Sequence, residues 1–296
     1  MNIVAIGEIL WDVFEDRELL GGAPFNFAVH ASRLGHEVAF ISAVGDDERG
    51  QRALRLTAEL GLSPRLVKQI ADEATGAVTV LLDAEGQPSY TIHRPAAYDF
   101  VSLSEQERVA IAASEPSCIY YGTLHQLSAR AKSLTRELLE MFPRARRLYD
   151  VNLRRDSYNP SLIEELLQLA TTLKINDEEV VAVEAMLGTS CGSLENFCRA
   201  YSDKFGWDAV CVTRGAAGCS VLIAGEFAEA PGCQVEVVDT VGAGDAFAAA
   251  FVHGLDQGWP AARVGDFANR VGALVASRAS GVPFWTTQEI ADARNR

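Results

Sequence analysis

Short, almost continuously apolar segments alternate along the chain with longer segments of helical periodicity. The apolar segments predict strands at residues 2–6, 38–44, 77–82, 89–93, 118–121, 147–151, 172–176, 208–213 and 219–223. The helical patterns lie at residues 24–34, 48–60, 104–113, 128–142, 160–170, 177–187 and 193–205. Strands that are apolar on both faces are typical of a covered parallel sheet. The alternation therefore predicts an α/β fold with helices on both sides of a sheet.

Two segments interrupt this alternation. Residues 77–93 predict a hairpin whose turn is Asp83-Ala-Glu-Gly86, and residues 12–20 form a short piece of mixed polarity. Neither segment has a crossover helix of its own. We therefore predict a small β lid, made of segments at about 12–20 and 75–97, inserted in a single domain that spans residues 1–296.

Composition limits the classes of partner that the protein can bind and the cellular compartment that suits it. The 296 residues carry a net charge of −14, and a protein that binds nucleic acid along its backbone needs a basic stripe. No apolar run approaches the ~20 residues that span a bilayer, and the first residues lack the features of a signal peptide. None of the six cysteines forms a Cys-x-x-Cys pair, which disfavours a structural zinc site. We expect a cytoplasmic protein that binds neither nucleic acid nor membrane.

The most informative segment is residues 237–251, where an apolar stretch enters a Gly-Ala-Gly turn and then an apolar helix. Glycines at a helix start let backbone N–H groups approach an anion, and the helix dipole favours negative charge there. Asp245 falls in the first helical turn, where the dipole is expected to keep its carboxylate ionised. The segment can thus combine a phosphate site with a general base, although a lone Gly-x-Gly-Asp is more often an ordinary turn. P-loop and protein-kinase motifs are absent from the sequence.

The longer string Asp239-Thr-Val-Gly-Ala-Gly-Asp245 resembles the C-terminal signature of the ribokinase-like (PfkB) carbohydrate kinases. Gly21-Gly-Ala-Pro-Phe-Asn-Phe-Ala28 is similar to their N-terminal signature. The resemblance implies a ribokinase-like three-layer α/β/α fold, with a mainly parallel central sheet and a small β lid. It also implies that Asp245 is the catalytic base and that the amides of Gly242, Ala243 and Gly244 form the anion hole.

The resemblance assigns sugar contacts to Asp12, Gly22 and Asn26. The Gly-Glu-x-Leu-x-Asp form of the first strand, the Gly-Gly-Ala-Pro-x-Asn form and His93-Arg-Pro-Ala-Ala97 look like bacterial fructokinases, so Arg94 is expected to reach the sugar from the lid. We therefore expect an ATP-dependent kinase that converts fructose to fructose 6-phosphate. Another sugar, 2-keto-3-deoxygluconate or a nucleoside as acceptor, and a non-catalytic sensor of sugar or nucleotide, remain alternatives.

Two further strings resemble the family's nucleotide site. In Lys174-Ile-Asn-Asp-Glu-Glu179, Asn176 and Glu179 match residues that place Mg²⁺ and phosphates through water. Locally, this string is also a good helix start. Asp150-Val-Asn-Leu-Arg154 matches another family string, which puts Asn152 and Arg154 near the phosphate path.

Val212-Thr-Arg-Gly-Ala-Ala-Gly218 is similar to the nucleotide loop and points to Thr213, Gly215 and Gly218, although such glycines are equally typical of a plain turn. Asn269 lies where family members contact adenine. The resemblance further implies a monovalent cation, K⁺, near Asp239 and residues 275–281. Lid strands with an exposed edge can pair between protomers, which predicts a homodimer.

Overall fold

The computed structural model describes residues 1–82, 88–155 and 157–292, so the predicted turn at Asp83-Ala-Glu-Gly86 lies outside the described residues. The strands are β1 Asn2–Ile6, β2 Leu10–Val13, β3 Glu18–Gly21, β4 Glu37–Gly45, β5 Val67–Ile70, β6 Gly76–Leu82, β7 Pro88–His93, β8 Cys118–Gly122, β9 Arg146–Asp150, β10 Thr172–Asn176, β11 Ala209–Thr213, β12 Cys219–Ile223 and β13 Glu226–Ala230. The helices are α1 Ala23–Arg33, α2 Glu48–Glu59, α3 Glu105–Ala113, α4 Ala129–Met141, α5 Pro160–Leu169, α6 Asp177–Met186, α7 Leu194–Phe205, α8 Ala243–Asp256, α9 Ala261–Ala276 and α10 Thr287–Asp292.

The larger sheet has the strand order β13-β12-β11-β10-β9-β8-β1-β4-β5. All neighbours from β11 to β5 are parallel, while β12 and β13 run antiparallel at one edge. Its two edge strands, β5 and β13, were not predicted. Each carries charged or polar residues and is partly exposed, so neither shows the continuous apolar run of a buried strand.

Each face of the larger sheet is covered by its own apolar layer. Alternate residues of β1 point to opposite sides: Ile3 packs with α1, α8 and α9, and Val4 packs with α4, α5 and α7. Alternation with period two is what a strand covered on both faces requires. The predicted three-layer α/β/α fold with a mainly parallel sheet is therefore confirmed.

The smaller sheet has the order β3-β2-β6-β7 and comes from the two segments that we assigned to a lid. Pairs β2–β3 and β6–β7 are antiparallel, and β2–β6 is parallel. Residues 7–9 alone separate β1 from β2, so the smaller sheet is attached directly at the carboxyl end of β1. That is the edge of a parallel sheet where ligands bind.

No helix within the described ranges is both long enough and apolar enough to span a bilayer.

Candidate active site

Two adjoining cavities lie at the carboxyl edge of the larger sheet, where α8 begins. The lid-side cavity of about 340 Å³ is bounded by the smaller sheet, and the α9-side cavity of about 450 Å³ is bounded by α9. Both cavities are lined by Asn176, Thr213, Thr240 and Gly244. The site can therefore hold two ligands that meet at the start of α8.

The start of α8 is built on Gly242, whose φ of +77° is a left-handed conformation. A Cβ atom there would lie 2.1 Å from the carbonyl oxygen of Gly281, so only glycine fits. The Ala243 N–H donates to the Thr240 carbonyl at 3.3 Å, whereas the described residues offer no acceptor to the N–H groups of Gly242 and Gly244. The chain itself thus uses one of the three amides predicted for the anion hole.

Asp245 lies in the first turn of α8 and lines the lid-side cavity with 9% of its surface exposed. Asn26 Nδ2 donates a hydrogen bond of 2.8 Å to its Oδ2. Burial, with a smaller contribution from the charge of Asp150, raises the pKa of Asp245 to about 6, against the opposing effects of Lys174, Asn26 and Arg154. Burial therefore makes the carboxylate more basic than its place in a first helical turn alone suggests. The group still remains mostly ionised at pH 7 and can accept a proton.

Asn26 was expected to contact the sugar, and the structure also makes it a partner of Asp245. It belongs to α1, which begins at the glycine turn before Ala23 and brings the amide under the start of α8. Its Oδ1 is buried without a partner among the described residues, although the residue lines the lid-side cavity. The oxygen thus lacks a partner within the described chain.

Lys174 is a site residue that the sequence interpretation missed. Its Nζ donates to Asp150 Oδ1 at 3.0 Å, and a Cβ atom at Gly244 would lie 3.2 Å from that nitrogen. Burial opposes its charge, but the carboxylates of Asp150, Glu179 and Asp245 together raise the pKa of Lys174. A lysine inside the otherwise apolar run of β10 was the signal that could have revealed it.

The lid-side cavity is lined by two further acids. Asp12 is partly buried, and burial raises its pKa to about 6. Glu8, which no sequence argument singled out, is 4% exposed, and burial raises its pKa to about 7. The guanidinium of Arg154 lowers the pKa of both acids, and Arg154 lines the same cavity.

Arg94, which was expected to reach the sugar, lies beside the lid-side cavity and is paired within the protein. Its guanidinium forms an ion pair with Asp99 and donates to the Leu124 carbonyl. Asp99 is 4% exposed, and a buried carboxylate needs a counter-charge, which Arg94 supplies. Leu124 and Arg154 line the lid-side cavity and Arg94 lies beside it, so the contact between Arg94 and the sugar stays a prediction.

Arg154 and Asn152 were expected near the phosphate path, and both line the lid-side cavity after the end of β9. Gly22, which precedes α1, lines it as well. Its φ is +108°, and a Cβ atom there would lie 2.5 Å from the Glu8 carbonyl oxygen. This close packing of backbone against backbone requires glycine.

The predicted nucleotide loop after β11 lines the α9-side cavity with Thr213, Gly215 and Gly218. Asn269 lines the same cavity, but its Nδ2 donates to the carbonyls of Ala230 and Pro231, at 3.1 and 3.0 Å. That nitrogen therefore holds the chain after β13 in place. The cavity also has an apolar part suited to a planar ring, formed by Val235, Val237, Phe247, Ala273 and Ala276.

Asn176 and Glu179 form a reciprocal cap at the start of α6. Glu179 Oε2 accepts from the Asn176 N–H at 2.9 Å, Asn176 Oδ1 accepts from the Glu179 N–H at 2.8 Å, and Glu179 Oε1 accepts from Leu153 N–H at 2.7 Å. Burial raises the pKa of Glu179. Glu179 does not line either cavity, whereas Asn176 lines both. Each carboxylate oxygen of Glu179 keeps a further lone pair, so a bridging water is the contact that it could offer a metal.

Asp239 lies beside the segment that was expected to share a cation with it. Its backbone N–H donates to the Ala276 carbonyl at 3.1 Å, and its Oδ1 accepts from the Val241 N–H at 3.0 Å. The described residues contain no cluster of three or more histidine, cysteine or acidic side chains that could hold a metal. The cation near Asp239 stays a prediction.

Comparison with known protein families gives one match that spans nearly the whole chain. Residues 6–287 match the model of the pfkB family carbohydrate kinases. The fructokinase of Klebsiella pneumoniae is 30% identical over 267 residues, which cover 86% of this chain and 84% of that protein. The aminoimidazole riboside kinase of Salmonella typhimurium is 30% identical over 236 residues, which cover 77% of this chain and 70% of that protein.

Solved structures with the same fold include two fructokinases. The fructokinase of Xylella fastidiosa with bound ATP superposes with a TM-score of 0.85 at 24% identity, covering 99% of this chain and 98% of that one. A double mutant of the fructokinase of Vibrio cholerae, with fructose, ADP and a potassium ion bound, gives a TM-score of 0.81 at 20% identity. It covers 98% of this chain and 97% of that one. At these identities, the superpositions establish the fold.

Proposed function

Because the chain belongs to the pfkB family of carbohydrate kinases, and is thus an ATP-dependent sugar kinase, we propose that it transfers the γ-phosphoryl group of ATP to fructose, giving fructose 6-phosphate. One observation carries the proposal: Asp245 lines the lid-side cavity and directly follows Gly244, which lines both cavities and whose backbone N–H lacks an acceptor in the described chain.

The two cavities separate the two substrates. ATP occupies the α9-side cavity with its phosphates towards α8, and the sugar occupies the lid-side cavity. Asp245 then receives the proton of the attacking hydroxyl late in a loose transition state. The free N–H groups of Gly242 and Gly244, and the ammonium of Lys174, stabilise charge on the transferred group.

The chemistry of the lid-side cavity favours a polyol. Its lining includes the carboxyls of Glu8, Asp12 and Asp245 and the side-chain amides of Asn26 and Asn152. Sugar hydroxyls supply the donors that such acceptors need, and buried acceptors left without donors are costly. The choice of fructose among polyols rests on the similarity to fructokinases and on the motif forms around Asp12 and Asn26.

A metal ion belongs to this reaction, and we propose Mg²⁺. When bound, it neutralises charge on the transferring phosphates. Asn176 and Glu179 would hold it through water, because the carboxylate oxygens of Glu179 already accept backbone hydrogen bonds. We also propose K⁺ beside Asp239 and the 275–281 segment, because a potassium ion is bound in the solved structure of the Vibrio cholerae fructokinase, which has the same fold.

The smaller sheet is proposed to act as a lid that excludes water and limits hydrolysis of ATP. Tyr90 of β7 lines the lid-side cavity while 55% of its surface is exposed, and Leu81 of β6 is 60% exposed. Of these two strands, β7 is an edge of the smaller sheet. An exposed apolar surface beside a free edge suits pairing with a second copy, so a homodimer through the lid is part of the proposal.

A nucleoside kinase is the second candidate, because the similarity to an aminoimidazole riboside kinase also reaches 30% identity. A coupled ADP-release assay with fructose, ribose, adenosine and 2-keto-3-deoxygluconate separates the candidates. We expect the highest kcat/KM with fructose and phosphorus coupling to the C6 protons in the NMR spectrum of the product. Faster turnover of adenosine would move the assignment to nucleosides, and sugar binding without turnover would indicate a sensor.

A further inference from the structure

His30 of α1 is a fully buried histidine that the mechanism above does not use. Both of its ring nitrogens have partners within the chain. The Trp285 Nε1–H donates to Nδ1 at 3.1 Å, and Nε2 lies 2.9 Å from the Gly281 carbonyl oxygen. An indole nitrogen can only donate, so Nδ1 accepts and the proton of the neutral ring is on Nε2. His30 therefore donates a hydrogen bond to Gly281.

Gly281 connects this histidine to the start of α8. A Cβ atom at Gly242 would lie 2.1 Å from the Gly281 carbonyl oxygen, which is the oxygen that accepts from His30. A Cβ atom at Gly281 would lie 2.9 Å from Asn26 Nδ2, which donates to Asp245. The backbone of Gly281 thus packs between the glycine turn of the proposed anion hole and the amide that orients the proposed base.

The same face of α1 also holds the residues that follow Gly281. Asn26, His30 and Arg33 are spaced at i, i+4 and i+7, so they lie on one face of the helix. Arg33 donates through Nη1 to the Pro283 carbonyl at 2.6 Å and through Nη2 to the Val282 carbonyl at 3.0 Å. Side chains of α1 therefore bind three consecutive carbonyl groups of this segment.

Ser280 indicates that the segment needs these bonds. Its φ of +83° lies in the left-handed region, which costs free energy in a residue that has a Cβ atom. Such a conformation persists only where surrounding contacts determine it. The bonds from His30 and Arg33 begin at the next residue, so their removal should let the segment relax away from Gly242.

We propose, building on the sugar-kinase function above, that His30 is a positioning residue for phosphoryl transfer. It lines neither cavity, so it acts through the Gly281 carbonyl rather than on a ligand. By fixing that carbonyl, it holds the Gly242 turn where the free N–H groups meet the transferring phosphoryl group. Its effect falls on the transition state, because the charge that these N–H groups stabilise develops during transfer.

The test compares full-length His30→Phe and His30→Gln with the wild type. Phenylalanine fills the space but removes both hydrogen bonds, whereas the glutamine amide can still donate to the Gly281 carbonyl. The acceptor is the sugar of the panel above that the wild type turns over fastest, with KCl saturating for each protein. We expect His30→Phe to lower kcat about 10- to 100-fold and to leave the Kd of ATP and of the sugar nearly unchanged. His30→Gln should recover most of the wild-type kcat.

Binding of a transition-state mimic measures the same geometry without turnover. Calorimetry gives the Kd of fluoroaluminate in the presence of ADP, Mg²⁺ and the sugar, since fluoroaluminate takes the place of the transferring phosphoryl group. His30→Phe should weaken this binding by about the same factor as it lowers kcat. A residue that only stabilised the fold would not change it.

His36→Phe is the matched control. His36 is also a buried histidine whose two ring nitrogens form hydrogen bonds. It lies beyond the other end of α1, whose 11 residues span roughly 16 Å. The control should lower the melting temperature but leave kcat and fluoroaluminate binding unchanged. If His30→Phe does not fold, Arg33→Met removes two bonds to the same segment from a partly exposed site and should lower kcat several-fold.

Two results would overturn the inference while the wild type remains an active kinase. One is unchanged kcat and fluoroaluminate binding in His30→Phe, or unchanged kcat in Arg33→Met where it replaces that variant. The other is an equal loss of kcat in His30→Phe and His36→Phe. If the wild type phosphorylates no sugar and binds no fluoroaluminate with ADP, the proposed function fails and the inference fails with it.

Discussion

Asp245 and Asn26 show how two residues far apart in the sequence set the basicity of the site. The amide of Asn26 orients one carboxylate oxygen of Asp245, and burial raises its pKa to about 6. A base with a pKa just below the working pH is ionised in most molecules and still binds a proton well. Tuning by burial therefore serves the reaction better than a fully solvated carboxylate would.

The dependence of kcat/KM on pH follows from that pKa. The base must be deprotonated, and its folded pKa is raised from the usual 3.8 to about 6. We expect kcat/KM for the sugar to fall about 10-fold per pH unit below pH 6 and to be level above pH 7, because kcat/KM reports the groups of the protein without bound sugar. Initial rates at varied sugar concentration and saturating ATP between pH 5 and 8.5 check this. A kcat/KM that is constant down to pH 5 contradicts the assignment of the base.

Single residues also mark the limits of sequence interpretation. Gly242 and Asp245 could be located because their string is long and local. Glu8 and Lys174 could not, because their places in the site depend on which strands end beside each other. The ion pair of Arg94 with Asp99 could not be predicted for the same reason, and the contact of Arg94 with the sugar stays a prediction.

The ion pair that lies near the start of α8 is formed by Asp150, the last residue of β9, and Lys174 of β10. Asp150 and Lys174 are opposite each other in the parallel register of these two strands, and both are nearly inaccessible. Tyr120, at the neighbouring strand β8, donates to the second oxygen of Asp150. The pair therefore belongs to the sheet, while its ammonium reaches the start of the helix.

Lys174→Met is expected to act on both stability and rate. It leaves the buried Asp150 without its counter-charge, which costs on the order of 3–5 kcal/mol in the free energy of unfolding. The double change Lys174→Met/Asp150→Asn should restore much of that stability but leave kcat about 10²-fold low, as for the loss of one charge-stabilising donor. Chemical denaturation and the coupled ADP-release assay measure the two effects.

Lys132→Met, at the more exposed ion pair with Glu165, is the matched control and should change the free energy of unfolding and kcat little. If the double variant regained full kcat together with its stability, Lys174 would be a structural residue only.

Strong, continuous patterns predicted their elements well, and weak ones did not. The apolar strands of the larger sheet and the helices with clear periodicity lie within a few residues of their predicted bounds. The exposed edge strands β5 and β13 were missed. Each is partly exposed to solvent and therefore carries few consecutive apolar residues. Order and register needed the structure, since pairing brings together residues far apart in the chain.

At the scale of the whole molecule, the net charge is −14, so the site that binds ATP must differ in local charge from the rest of the protein. An acidic protein can bind ATP only where backbone N–H groups, a few cations and a metal ion outweigh the surrounding field. The start of α8, Lys174 and Arg154 gather such groups at the carboxyl edge of the larger sheet. The smaller sheet borders the same edge, so the proposed binding, catalysis and lid closure all involve one region of the fold.

The replacement of Asp245 by Asn tests this account most directly, because it keeps the shape of the side chain and removes its ability to take a proton. Burial raises the pKa of Asp245, so its ionised form lowers the free energy of unfolding at neutral pH. The variant should therefore fold at least as well as the wild type. Measured at pH 7.5 with saturating ATP and fructose, its kcat should be lower by on the order of 10² or more, with the Kd of ATP nearly unchanged. A variant that keeps near-complete kcat would contradict the assignment of Asp245 as the catalytic base.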